Sequence, residues 1–467
     1  MPSIASTPQL RTEPSATAWL TKLAARELSA RELAEHYLER VQRADERLNA
    51  VVAINPDRVL AEADDADAAR QAGDTRPLLG LPVTIKDSVD VAGMTCTGGS
   101  YARVGCVPSA DATVVARLRA AGAIVLAKTN LPEYSSAYET DNALFGRTVH
   151  PLDPARTPGG SSGGEGALMG ADASALGIGT DGGGSIRVPA HYCGVVGLRP
   201  TVGRVPDTGL WPRTRSSGYM DLFCVGPLAR YVEDIALVMP VISGPDGVDP
   251  FCVPAPLRDP AAVDVAGLRV GLFADDPRLS VSGGTLSALV RAARTLADAG
   301  AEVVEVSAPW EDDPTQLFFD CVAADGGAQV RADLTAAGGR HHVMMMELMS
   351  AVGARTPRAE EWFAVQARVF ALRRAVRALS CTVDVLLCPV VAGPAPLHGE
   401  PPGGLPRASY GEYRAFDYVH LMALGGLPAM SVPVGSERGL PIGVQVAAAP
   451  WREDLVLAAA AALEARA

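Results

Sequence analysis

Two stretches of the chain repeat one plan, an apolar helical face, then a glycine, then a short β-branched run. Val114, Val115 and Leu118 precede Gly122 and Ile124-Val125-Leu126. Leu286, Leu289, Ala293 and Leu296 precede Gly300 and then Val303, Val304 and Val306. Spacings of three and four residues gather each first set on one side of a helix, and glycine is the residue that caps such a helix in the left-handed region. Helices that alternate with strands in this way predict an α/β fold, with a mixed, mostly parallel β-sheet core covered by helices on both faces. Ser29 and Glu32 form a capping box ahead of Leu33, Tyr37, Val41, Ala44 and Leu48, which predicts a further amphipathic helix. The Ala- and Asp-rich run at 60–73 and the stretch 310–375 also read as helical, and Leu427–Val434 and Gly439–Val446 read as buried strands. Pro389–Pro406 reads as a surface loop. With 467 residues, 48% of them hydrophobic, and no compositional break, the chain is expected to form one large domain over 1–467.

Charge and composition exclude several function classes. A net charge of −12 argues against a nucleic-acid-binding face, which needs a basic surface to release phosphate counterions. The eight cysteines contain no CxxC pair, so neither a zinc site nor a disulfide scaffold is expected. Residues 1–20 mix charges with prolines and lack an apolar signal-peptide core. The most apolar runs, Ile235–Ile242 and Leu455–Leu463, fall far short of a membrane span. A cytoplasmic location is therefore expected. No histidine spacing matches a metal motif, and His341 and His342, being adjacent, point in different directions on a helix. The sequence implies no metal and no cofactor.

The residues that carry chemistry are few. Lysine occurs only at positions 22, 86 and 128, and Lys86 ends the apolar run Leu81-Pro82-Val83-Thr84-Ile85. Two glycine–serine clusters follow, Pro158-Gly159-Gly160-Ser161-Ser162-Gly163-Gly164 and Gly179-Thr180-Asp181-Gly182-Gly183-Gly184-Ser185-Ile186-Arg187. Glycines around a serine allow unusual backbone conformations and leave N–H groups free to face a developing oxyanion. Taken singly, each cluster reads as a flexible turn. Gly160–Gly164 also satisfies the nucleophile-elbow pattern at Ser162, but no histidine or acid stands in a matching context. Gly177–Gly182 satisfies a dinucleotide fingerprint, yet Pro189 follows too soon for the helix that such a fingerprint should open.

Taken together, the strand lysine and the two clusters, with Ser161 and Ser185 separated by 24 positions, resemble the amidase signature family. The dense match covers about 78–206, taken as the signature core, and weaker likeness extends over Gly226–Val238, Gly267–Phe273 and Phe416–Val446. The resemblance implies an amidohydrolase acting on linear carbon–nitrogen amide bonds. Lys86 would be the base, Ser161 (on a cis peptide bond) the proton relay, and Ser185 the nucleophile that forms an acyl-enzyme. It also implies an oxyanion hole from the N–H groups of Gly182, Gly183, Gly184 and Ser185, with Ser162, Thr180, Asp181 and Arg187 holding the two loops. Such a base must be neutral, and desolvation beside Val83 and Ile85 is the physical means. Lys128 is the rival lysine and is expected to be structural. Gly182 departs from the larger or β-branched residue usual at that place in the family.

Within the family, Glu165 and Val188 look more like the acetamidase and fatty-acid-amide-hydrolase branch. The tRNA-linked amidotransferase chains of the family usually have a small residue and a glutamine at those two places. The expectation is therefore a stand-alone serine amidase acting on a small or medium acyl or aryl amide. The alternatives are an amidotransferase A-type subunit releasing ammonia for a partner, an esterase or acyltransferase using the same three residues, and an idle binding protein. The expected partners are a small-molecule amide and at most a second copy of the chain, with neither nucleic acid nor membrane. The substrate pocket is placed in a variable helical region at about 310–400. There Met344, Met345, Met346, Leu348 and Met349 are candidates to line it or to form core, and Asp312, Asp313, Arg331 and Arg340 are candidates to bind a polar substrate group.

Overall fold

The computed structural model describes residues 12–212, 221–274, 281–335, 337–353, 358–400 and 414–466. Its centre is one sheet of eleven strands. In chain order these are β1 (Val51–Ile54), β2 (Pro82–Lys86), β3 (Ile124–Thr129), β4 (Leu176–Asp181), β5 (Val196–Arg199) and β6 (Cys224–Ala229). β7 (Arg269–Leu272), β8 (Glu302–Glu305), β9 (Val385–Pro389), β10 (Ala429–Glu437) and β11 (Leu440–Ala448) complete the set. Across the sheet they lie in the order β1-β3-β2-β4-β6-β5-β10-β11-β9-β7-β8.

The two helix–glycine–strand units form as the spacing predicts. Helix Thr113–Ala120 leads through Gly122, at φ +95°, into β3, and helix Gly283–Asp298 leads through Gly300, at φ +99°, into β8. Each carries a parallel crossover, from β2 to β3 and from β7 to β8. β2 also runs parallel to β4, and β7 to β9. The remaining six pairings are antiparallel, so the sheet is mixed but not mostly parallel. The difference lies in the middle of the sheet, where strands are joined by long excursions or by a hairpin rather than by crossovers. β10 and β11, for example, meet through Arg438 and Gly439, both at positive φ, as a two-residue hairpin turn requires.

Alternation along the central strands sorts the core into two layers. Val385 and Leu387 of β9 join a cluster that also holds Val432, Val444 and Val446. Leu386 and Cys388 point the other way, into a cluster with Phe273, Leu421 and Met422. Helices cover the sheet and complete a single large domain. The capping box of Ser29 and Glu32 opens helix Ala30–Leu48, and its face of Leu33, Tyr37, Val41, Ala44 and Leu48 is buried.

Two expectations change. Apart from Ala171, every residue from Thr157 to Pro200 is buried, so the glycine–serine clusters are core rather than flexible turns. Pro389–Pro406 is a surface loop only in part: Pro389 ends β9, and Val390, Val391, Ala392 and Ala395 are fully buried, whereas Leu397, Gly399 and Glu400 are exposed and 401–406 lies outside the described residues. Region 310–400 is helical over Pro314–Val322, Ala328–Thr335, Val343–Val352 and Ala359–Leu379, with 336 and 354–357 outside the described residues. No helix among the described residues is long and apolar enough to cross a membrane.

Candidate active site

β2, β3 and β4 run parallel, and their carboxyl ends meet where ligands bind in open α/β sheets. Lys86 is the last residue of β2, and Thr180 and Asp181 are the last two of β4. Lys86 Nζ lies 2.6 Å from Ser161 Oγ and 2.8 Å from Thr180 Oγ1. It is fully buried, and its hydrogen-bond partners are these two hydroxyls rather than a carboxylate. Burial therefore dominates and pushes its pKa well below the usual lysine value, against the smaller pull of Asp181 and Glu165.

Lys128, one strand away, shows the opposite arrangement. Its Nζ is 2.9 Å from Asp87 Oδ1 and donates to the Thr95 carbonyl at 3.1 Å, with both charged side chains fully buried. Asp87 in turn accepts from the Thr97 N–H and hydroxyl. This is a closed structural ion pair, with its charges spent on each other.

Ser161 and Ser162 sit at the entry to helix Gly163–Gly170, and the Gly160–Ser161 peptide is cis. The first two glycines of the helix are closely packed, Gly163 against the Thr140 side chain and Gly164 against backbone. A Cβ on Gly164 would stand 2.5 Å from the Asn130 nitrogen. Ser162 does not act as an elbow nucleophile would: its Oγ bonds the Thr180 backbone at 3.3 Å, and no histidine touches it. The Ser162 N–H donates to the Ser185 carbonyl at 3.0 Å, which fastens the two serine loops side by side.

The second loop is organised by Asp181. Its carboxylate takes both Arg187 Nε and Nη2 at 2.9 Å, the Gly184 N–H at 2.7 Å and the Ile186 N–H at 3.2 Å. Burial alone would raise this carboxyl, but the Arg187 guanidinium, with Arg199 behind it, holds it well below the usual carboxylate range. Arg187 also donates to Gln445 Oε1 at 2.7 Å and to the Val419 carbonyl at 3.1 Å. Gly184 has φ +121°, and a Cβ there would meet Val419 Cγ2 at 2.7 Å, so the turn needs glycine. Because its N–H is spent on Asp181, Gly184 is not free to donate to an oxyanion. The Gly183 and Ser185 N–H groups take no acceptor among the described residues. Ser185, Gly182 and Gly183 border a cleft of ≈ 530 Å³, together with Tyr138, Phe318 and Leu348.

Three features escape sequence reasoning. Glu165 is fully buried, accepting from the hydroxyls of Thr84 at 2.5 Å and Thr129 at 2.8 Å, and burial pushes its carboxyl up to about 7. Tyr138 donates to the Gly183 carbonyl, and His420 lies behind it. No sequence pattern links either to the serine loops. The pocket candidates also sort out. Leu348 lines the cleft, while Met345 and Met349 pack as core with Tyr134 and Trp211, and Met346 is exposed. Asp312 is paired with Arg368, Asp313 caps helix Pro314–Val322, Arg331 bonds backbone carbonyls and Arg340 lies over Tyr101. None of the four borders the cleft.

The amidase family matches residues 32–457. The A chain of the glutamyl-tRNA(Gln) amidotransferase of Thermus thermophilus is 37% identical, over 95% of each chain. A solved structure described as a vestigial protein complex that reveals the evolutionary origins of an s-triazine catabolic enzyme superposes with a TM-score of 0.87. It is 32% identical and covers 97% of this chain and 98% of that one. A bacterial aryl acylamidase of the amidase signature enzymes superposes with a TM-score of 0.86 at 26% identity, covering 97% and 96%. The likeness to the amidotransferase A chains overturns the stand-alone amidase expected from Glu165 and Val188. Both residues are fully buried and neither borders the cleft, so they cannot report what the site accepts.

Proposed function

Because the chain belongs to the amidase family, we propose that it serves as an amidotransferase A-type subunit, hydrolysing a primary carboxamide through an acyl-serine and releasing ammonia for a partner. The observation that carries the chemistry is the fully buried Lys86, 2.6 Å from Ser161 Oγ. A lysine with no carboxylate partner is neutral in such a place, and only a neutral amine accepts a proton. Lys86 takes the Ser161 proton while Ser161 takes the Ser185 proton, and Ser185 Oγ attacks the amide carbon. The N–H groups of Gly182, Gly183 and Ser185 receive the developing oxyanion. The carbon–nitrogen bond then breaks as the nitrogen takes a proton from Ser161, Lys86 returns its proton to Ser161, and ammonia leaves. Water attacks the acyl-serine and releases the carboxylic acid.

This amidotransferase reading is supported by the amidotransferase relatives, which align over nearly the full length of the chain. Those relatives act on glutamyl-tRNA, as their name states. With a net charge of −12, this chain takes the amide-hydrolysing half of such a reaction, and its partner takes the tRNA. The test is ammonia release from primary amides, glutamine and asparagine among them, by wild type and Ser185→Ala, each alone and with its co-purified partner. Turnover that needs Ser185 and rises with the partner is expected. Full turnover by the isolated chain, unchanged by any partner, overturns the amidotransferase reading.

A further inference from the structure

Behind the second serine loop, three side chains from distant parts of the sequence form a continuous hydrogen-bonded line. Thr315 Oγ1 lies 2.7 Å from His420 Nδ1, His420 Nε2 lies 2.5 Å from Tyr138 Oη, and Tyr138 Oη lies 2.8 Å from the Gly183 carbonyl. The direction of the line is forced. A carbonyl can only accept, so the one Tyr138 proton goes to Gly183. Tyr138 Oη must then accept from His420, which puts the imidazole hydrogen on Nε2. Nδ1 is left as an acceptor, and Thr315 donates to it.

Packing fixes the rings as firmly as the hydrogen bonds do. His420 stacks on Phe318 at 4.2 Å with 15° between planes, and Tyr138 stacks on Phe416 at 3.8 Å with 14°. His420 is fully buried, and burial, with Arg187 nearby, pushes its pKa down to about 3, so it keeps one tautomer without charging.

The line ends on a peptide that matters. The Gly183 carbonyl and the Gly184 N–H belong to one planar unit, and Asp181 Oδ1 takes that N–H at 2.7 Å. The unit is thus tied at both ends, from opposite sides of the turn. The next peptide is tied through its carbonyl, where Gly184 O accepts from Val188 N at 2.7 Å, while its Ser185 N–H takes no acceptor among the described residues and Ser185 borders the cleft. Three successive glycines have no side chains of their own to hold this geometry.

We propose that Thr315, His420 and Tyr138 are positioning residues, a one-way relay that orients the Gly183–Gly184 peptide and so aims the oxyanion-binding N–H groups beside Ser185. The proposal rests on Ser185 being the nucleophile. Tyr138 borders the cleft and would also touch substrate, so the decisive variants lie further back, at Thr315, which does not border it. Thr315→Val removes the donor to Nδ1, and Thr315→Ser retains it.

The experiment compares kcat and KM for ammonia release by the full chain, with its partner, in wild type, Tyr138→Phe, Thr315→Val and Thr315→Ser. The second-order rate of Ser185 labelling by a fluorophosphonate, whose phosphoryl oxygen occupies the same hole, is measured alongside. Losing a direct oxyanion donor costs roughly 10²–10³-fold in kcat, so loss of a support is expected to cost about 10-fold. That loss should appear in kcat and in labelling rate for Tyr138→Phe and Thr315→Val, with KM held within about two-fold and with recovery in Thr315→Ser. Nitrogen NMR of wild type should show His420 protonated at Nε2. An Nδ1–H tautomer overturns the relay, and so does Thr315→Val with wild-type kcat and labelling. If no amide is turned over but Ser185 labels and Thr315→Val slows that labelling, the relay stands and the amidotransferase reading fails.

Discussion

Replacing Lys86 by methionine separates catalysis from stability, because the native fold holds this amine without a counter-ion. Burial lowers the pKa of Lys86 well below its ordinary value, whereas in the unfolded chain it returns to about 10.4. Between those two values the unfolded state binds one more proton than the folded state. Stability therefore rises with pH, by about 1.4 kcal/mol for each pH unit in that window. Below the window the folded lysine also charges, and above it both states are neutral. Methionine fills similar volume, carries no proton and lacks this slope. Urea unfolding of wild type and Lys86→Met at pH 8 and pH 9 should thus show wild type gaining about 1.4 kcal/mol on the variant over that unit. Amide turnover should vanish in the variant at both pH values. Equal pH dependence of the two proteins would mean that Lys86 is charged in the fold, and the proton path from Ser161 to Lys86 would then have no acceptor.

Lys128→Met should behave in the opposite way. It strands the buried Asp87 carboxylate and is expected to cost about 3–5 kcal/mol in denaturant unfolding, while any folded fraction retains its turnover. Asp181→Asn removes the negative charge that faces Arg187 and one of the two acceptor oxygens that hold Arg187 and the loop N–H groups, and should lower both stability and kcat. Because Asp181 is held well below its unfolded pKa, its contribution is present above about pH 4 and lost as pH falls. Acid unfolding of the variant should therefore be flatter than that of wild type. Gly183→Ala places a Cβ 2.6 Å from Phe318 Cζ and should lower kcat by disturbing the turn, with recovery when Phe318 is shortened to leucine.

Much of the chemistry is legible because it is local. Lys86 stands at the end of an apolar strand, Ser161 and Ser185 are each framed by glycines, and Asp181 and Arg187 are six positions apart on one loop. Residue type and spacing mark the strand lysine and the two clusters, and the resemblance to the amidase signature family picks these residues out within them. The Thr315–His420–Tyr138 line is not legible, because its members lie 105 and 282 positions apart and meet only once helices Pro314–Val322 and Asp417–Gly425 pack on the serine loops. The same limit applies to the sheet. Helix–glycine–strand spacing reveals the parallel crossovers into β3 and β8, but nothing local says that β4 pairs antiparallel with β6, or β5 with β10. Glu165 misleads for a related reason. It reads as a mark of substrate class, yet it faces Thr84 and Thr129 in the interior rather than the cleft.

The most direct test of the account is rapid-quench mass spectrometry of the enzyme during turnover of a primary amide. An acyl group is expected on the peptide that contains Ser185, appearing with stoichiometric ammonia release and absent from Ser185→Ala. Continued ammonia release by Ser185→Ala, or an acyl group carried by Ser161, would contradict it.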